Sequence, residues 1–201
     1  GLDRSGAPAV HRDRRGAHRP VAGGALVARG RLRGGSPGAR DNASGLLAVL
    51  TAAERSATPG LGILVTGAEE FGLVGARVFA QERPELLAGR EVVNVDTVDD
   101  QGPFYVVFHE QQGKALAQHL EPVLASLGLP CRRRRLPAGI MVDSLPLAPA
   151  AARAVTLARL DWGTLRRLHT PADTTDGLAF ETAGRLGRLL ARAIDPVGPA
   201  R

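Results

Sequence analysis

Short runs of β-branched and aliphatic residues alternate with helical stretches, and two of these runs lead straight into carboxylates. Leu61–Thr66 is an apolar run followed by Gly67-Ala68-Glu69-Glu70, and Glu91–Val95 is a second that ends at Asp96. Phe104–Phe108 and Ala154–Ala158 have the same buried-strand texture, and Val21–Val27 is a short candidate. Between them lie helical segments: one opening at Asp41, Asn42 and Ser44 and ending near Pro59–Gly60, one from Gly72 to about Gln81, one over Gly113–Leu127, and one over Phe180–Ile194. Leu116, Leu120, Val123, Leu124 and Leu127 fall at helical spacing in the third. This alternation predicts an α/β fold: three layers, α/β/α, around a mixed, mostly parallel central sheet. In such sheets ligands sit beyond the carboxyl ends of the strands, where Glu69, Glu70 and Asp96 fall.

A chain of 201 residues suits one domain with a core of its own. Its single cysteine, Cys131, excludes an internal disulfide framework and a thiolate zinc cluster, so any metal must take His, Asp and Glu ligands. Arg132–Arg135 follow Cys131 directly and would lower its pKa if they faced it; a free structural thiol is the simpler reading. The formal charge of +6 comes almost entirely from arginine, since Lys114 is the one lysine. Charge is lopsided: residues 1–40 hold nine arginines against Asp3 and Asp13, a net of +7, and the remainder sums to −1. Neither this segment nor the 132–135 run interleaves the aromatics that read single strands, so nucleic acid is not an expected partner. No run of about 18 apolar residues is present, so no membrane-spanning segment is expected, and no signal peptide is visible.

The polar residues that fall at strand ends and in loops are Asp41, Glu69, Glu70, Asp96 and His169. Carboxylates gathered in one place repel one another unless a cation lies among them. Zinc accepts carboxylate oxygen and imidazole nitrogen and, in catalytic sites, keeps one position open. Taken singly, each residue has a plainer role: Asp41 as a helix cap, Glu69-Glu70 as solvated surface, Asp96 as a turn former, His169 as a loop residue.

Their order carries more. Pro37-Gly38-Ala39-Arg40-Asp41-Asn42-Ala43-Ser44-Gly45, Ala68-Glu69-Glu70-Phe71-Gly72-Leu73-Val74-Gly75-Ala76, Val93-Asn94-Val95-Asp96, Met141-Val142-Asp143-Ser144-Leu145-Pro146 and His169-Thr170-Pro171-Ala172-Asp173-Thr174 occur in that sequence. This series resembles the M28 family of zinc exopeptidases over about residues 36–195, with the first, second and fifth segments the most specific. The resemblance implies a metal-dependent aminopeptidase acting on peptide substrates. It implies two zinc ions bridged by Asp41, with Glu70 and His169 completing one ligand set, and Asp96 and an upstream histidine completing the other. Glu69 would be the general base, taking a proton from the attacking water and passing it to the leaving amine, and Asp143 would lie on the substrate side. Asp173, four residues after His169, is a candidate to orient the imidazole ring, with a simple turn role as the alternative. The resemblance also favours secretion or a cell-envelope location.

The upstream histidine departs from the family's His-x-Asp pattern. His18 lies 23 residues before Asp41 but lacks the aspartate; His11 has Asp13 but lies 30 residues away. Three explanations stand: a divergent working segment, a degenerate relative that has lost one metal, or a wrongly translated segment, which the clustered arginines favour. The last would leave the chain short of one ligand and one strand. The chain accordingly divides into an atypical or poorly ordered segment, 1–35, and a peptidase-like domain, 36–201. The alternatives to an aminopeptidase are a carboxypeptidase on the same architecture and a metal-poor interaction module; glutaminyl cyclases share that architecture too.

Overall fold

The computed structural model describes residues 20–25, 35–58 and 60–194. Its centre is a six-stranded sheet built from β1 (Pro20–Ala25), β2 (Gly62–Thr66), β3 (Glu91–Val98), β4 (Phe104–Phe108), β5 (Cys131–Arg135) and β6 (Arg153–Arg159). The spatial order is β2-β1-β3-β6-β4-β5. All neighbours run parallel except β4 and β6, so the expected mixed, mostly parallel sheet is present. β1 lies inside the 1–35 segment and pairs with both β2 and β3, so the sheet draws on that segment.

Alternating side chains on the inner strands build two cores. Val93 and Val95 of β3 and Val155 and Leu157 of β6 face α1 (Gly45–Arg55), α3 (Gln111–Ser126) and α6 (Glu181–Ile194), where Val49, Leu116, Leu124, Leu186 and Leu190 close the larger core. Val92 and Ala154 point the other way, onto a smaller core with Ala76 of α2 (Val74–Glu82) and Leu147 of α4 (Ser144–Leu147). The three-layer arrangement follows, because strands buried on both faces must be covered on both. The remaining helix, α5 (Trp162–Arg167), is capped by Asp161, whose carboxylate accepts the Thr164 N–H at 2.8 Å.

Among the strands, β5 and β3 depart most from the sequence pattern. β5 carries four arginines on an edge strand, where solvated long side chains hide the strand's periodicity. Arg133 pairs with Glu121 of α3, and the Arg134 guanidinium lies 5.0 Å from the centre of the Tyr105 ring. Those arginines do not lower the Cys131 pKa: burial, with Glu121 beside it, pushes the thiol up to about 11. β3, for its part, runs past Asp96 to Val98, with an irregularity between Val95 and Val98 where its register against β6 shifts.

Candidate metal centre

Asp41 does not cap α1. A tight turn over Ala39–Ser44 precedes that helix, and Asn42 does the capping: its Oδ1 accepts the Gly45 N–H at 3.0 Å. The same Oδ1 accepts Thr97 N–H at 3.2 Å, and Asn42 Nδ2 donates to Val95 O at 2.9 Å. Ser44 Oγ donates to Arg40 O at 2.6 Å and accepts Val98 N–H at 3.0 Å. The Asp-Asn-Ala-Ser turn is thereby stitched to β3 beside Asp96. Gly45 is required where it stands, since a Cβ there would lie 2.5 Å from Val95 O and closer still to the Asn42 amide.

Glu69 and Glu70 sit on a single turn, Glu69–Phe71, directly beyond β2. Gly75 lets α2 approach that turn, because a Cβ would meet Gly67 O at 2.5 Å and Gly67 N at 2.7 Å. Asp96 lies within the β3 irregularity, and its carboxyl feels the charges of Asp41, Glu69 and Asp143. Three of the non-glycine residues with positive φ are at this site: Ala68 (56°), Thr97 (52°) and His169 (59°). Such backbone costs about 1–3 kcal/mol per residue and gathers where function holds it.

The loops bring Asp41, Glu70 and His169 together, with one ligand atom of each lying within 4.8 Å of the others. His169 Nε2 is 2.8 Å from Asp41 Oδ2 and 3.8 Å from Glu70 Oε1. In the metal-free chain the hydrogen bond to Asp41 raises the His169 pKa to about 9, aided by Glu70 and Glu69 against a burial effect. Glu69 is pushed up to about 7, by burial first and then by Asp41, Asp143 and Glu70, with His169 opposing. Asp96 is raised well above the usual carboxylate range by burial and by Asp41, Glu69 and Asp143. Asp143 is buried, accepts Thr66 Oγ1 at 2.5 Å through Oδ2, and leaves Oδ1 without a partner; burial raises its pKa.

Five carboxylates, Asp41, Glu69, Glu70, Asp96 and Asp143, thus form one acidic cluster, three of them acting directly on the His169 imidazole. A cation would balance the repulsion among these carboxylates, and the donors are the oxygen and nitrogen types that zinc takes. The residues present therefore fit a zinc ion between Asp41, Glu70 and His169. Asp96 is not part of that group of three. His11 and His18 lie outside the described residues; in sequence both precede β1, and residues 26–34, which follow it, contain no histidine.

Asp173 does not orient the His169 ring. Its carboxylate turns back to the Asp41 segment and accepts the backbone N–H groups of Arg40 and Asp41 at 2.9 and 3.1 Å. The sequence also gave no sign of Asp99, which is buried and takes a 2.8 Å bond from Arg40 Nε across 59 positions; no local spacing announces such a pair.

A model of peptidase family M28 matches residues 11–194. No curated protein sequence matches the chain. Solved structures share its fold. The LapA aminopeptidase of Legionella pneumophila has a TM-score of 0.67 at 22% identity, covering 88% of this chain and 51% of that one. BSAP, a zinc aminopeptidase from Bacillus subtilis, has a TM-score of 0.68 at 21% identity, covering 91% and 47%. A glutaminyl cyclase of Bacteroides thetaiotaomicron has a TM-score of 0.66 at 16% identity, covering 88% and 73%. The chain spans about half the length of the two aminopeptidases.

Proposed function

The chain belongs to peptidase family M28, and we propose that it is a zinc-dependent aminopeptidase that releases the first residue of a peptide. The observation that carries this reading is the convergence of Asp41, Glu70 and His169 from three separate loops, with Glu69 adjoining them. Asp41, Glu70 and His169 would hold one zinc ion, and Asp96 would share Asp41 with a second. Bound there, zinc supplies Lewis acidity that lowers the pKa of a water to about 7 and polarises the scissile carbonyl.

The chain's own residues do the rest. Glu69 accepts a proton from the attacking water as its oxygen bonds to the carbonyl carbon. The C–N bond then breaks, and Glu69 returns that proton to the leaving amine nitrogen, so the carboxylate is regenerated. A base whose pKa lies near the working pH serves both transfers. The fold shared with LapA and BSAP, two aminopeptidases, supports an aminopeptidase rather than a carboxypeptidase.

The test is hydrolysis of aminoacyl chromogenic amides by the zinc-loaded chain, with N-acetylated and C-terminally free peptides alongside. Cleavage of the free-amino substrates alone, lost in Glu69→Gln, is the expected result. Cleavage of the N-acetylated peptides from their carboxyl end would replace this reading with the carboxypeptidase one.

A further inference from the structure

Behind the three candidate ligands lies a buried polar network that the proposed chemistry does not use. Asp173 is fully buried, and its two carboxylate oxygens accept two consecutive backbone N–H groups, Arg40 at 2.9 Å and Asp41 at 3.1 Å. Ala39 N–H donates to the Asp173 carbonyl at 3.1 Å, continuing the same seam. The Arg40 side chain returns the tie: Nη1 donates to Thr174 O at 2.7 Å and Nη2 to Asp176 O at 3.2 Å. The loop ending at Asp41 and the loop following His169 are thus cross-tied in both directions. Asp99 adds a third anchor three residues beyond Asp96, accepting Arg40 Nε at 2.8 Å, Thr164 Oγ1 at 2.8 Å and Arg167 Nη2 at 3.2 Å.

Two features separate this network from ordinary packing. Its charges balance, two guanidiniums against two carboxylates, so it adds nothing to the repulsion in the acidic cluster above it. Buried ion pairs also contribute little net stability compared with apolar side chains of similar volume, whereas their directional bonds fix position. Here those bonds end on the backbone of Asp41 and on the turn that follows His169.

We propose that Asp173 and Arg40, anchored by Asp99, are positioning residues that hold Asp41 and His169 at metal-binding separation before a cation arrives, and so set the affinity of the site without touching the metal. This rests on the metal-site reading above. Partners of this indirect kind are worth about 10–100-fold in metal affinity.

The experiment measures zinc affinity by chelator competition on the metal-free parent, Asp173→Asn, Arg40→Lys and Glu70→Ala. Circular dichroism and thermal melts are taken on the same metal-free samples. Asp173→Asn keeps the volume but replaces one acceptor with a donor, and Arg40→Lys keeps the charge but loses the fork. Leu124→Ala, a core truncation in α3, is the control for lost stability alone. The expected result is a loss of about 10–100-fold in Asp173→Asn and about tenfold in Arg40→Lys, with both folded and Leu124→Ala binding as the parent does. Should Asp173→Asn fail to fold, Arg40→Lys carries the test. Affinity within twofold of the parent in a folded variant overturns the proposal, as does an equal loss in Leu124→Ala. If the parent binds no zinc, or Glu70→Ala binds as well as the parent, the metal-site reading itself falls and the positioning role goes with it.

Discussion

The acidic cluster has two sides built from different donors. On one side Asp41, Glu70 and His169 bring two carboxylates and a ring nitrogen within 4.8 Å of one another. On the other, Asp96 stands near Asp143; burial first, then Asp41, Glu69 and Asp143, pushes the Asp96 carboxyl upward, and burial alone raises Asp143. Among the described residues, only the first side assembles a group of three candidate ligands. The difference teaches that position at the strand ends is shared, whereas grip on a cation depends on which donors the loops deliver. A side with a nitrogen donor and a fixed backbone is ready for metal. On a side of crowded carboxyls, burial and like charge favour the neutral forms, and a cation would reverse that preference.

The comparison breaks most visibly at Glu69, which lies between the two sides. Glu69→Gln should lower kcat by about 10²–10⁴-fold while both sides keep their metal, as expected for loss of a general base. A Gln variant that turns over at the parent rate would remove Glu69 from the chemistry. Next in size is the contrast between ligands. Glu70→Ala and His169→Ala should each weaken the first zinc by about 100-fold or more, whereas Asp96→Asn should leave that zinc within a few-fold and affect only the weaker second cation. Equal losses in all three would erase the distinction.

Proton exchange sharpens the same point. Because the Asp41 hydrogen bond raises the His169 pKa to about 9, the metal-free ring is protonated at neutral pH, and zinc must displace that proton. Affinity at the first side should therefore fall about tenfold for each pH unit below about 9. Zinc uptake at pH 7 should release close to one proton from the ring, with Glu69 adding a fraction of another, and calorimetry in buffers of different ionisation enthalpy reads this directly. A pH-independent affinity would contradict the shared His169–Asp41 proton. The smallest effect is on stability: Gly45→Ala forces a Cβ against Val95 O and should cost about 1–3 kcal/mol in a denaturant melt of metal-free protein.

Much of the fold was legible because most strands read as apolar runs, from the buried central β3 and β6 to the half-exposed edge strand β2. β2, β4 and β6 lie where those runs predicted them, within a residue at either end. β5 was not, since an edge strand of arginines has no apolar face to report it. The first side of the site was legible through the Asp41, Glu69-Glu70 and His169 segments, whose glycines and polar residues answer to local geometry: Gly45 and Gly75 to close approaches, Asn42 and Ser44 to bonds onto β3. The network of Arg40, Asp99 and Asp173 was not legible, because its bonds join residues 59 to 136 positions apart. Asp173 shows the limit well. Spacing placed it near His169, and only the fold turned it toward Asp41.

The measurement that tests the central claim most directly is a zinc titration of the metal-free chain, counted per chain, in the parent, Glu70→Ala and Asp96→Asn. The account predicts one tightly held zinc and a weaker second in the parent, the tight one lost in Glu70→Ala and retained in Asp96→Asn. A parent that binds no zinc, or a tight zinc that survives Glu70→Ala and disappears in Asp96→Asn, would contradict it.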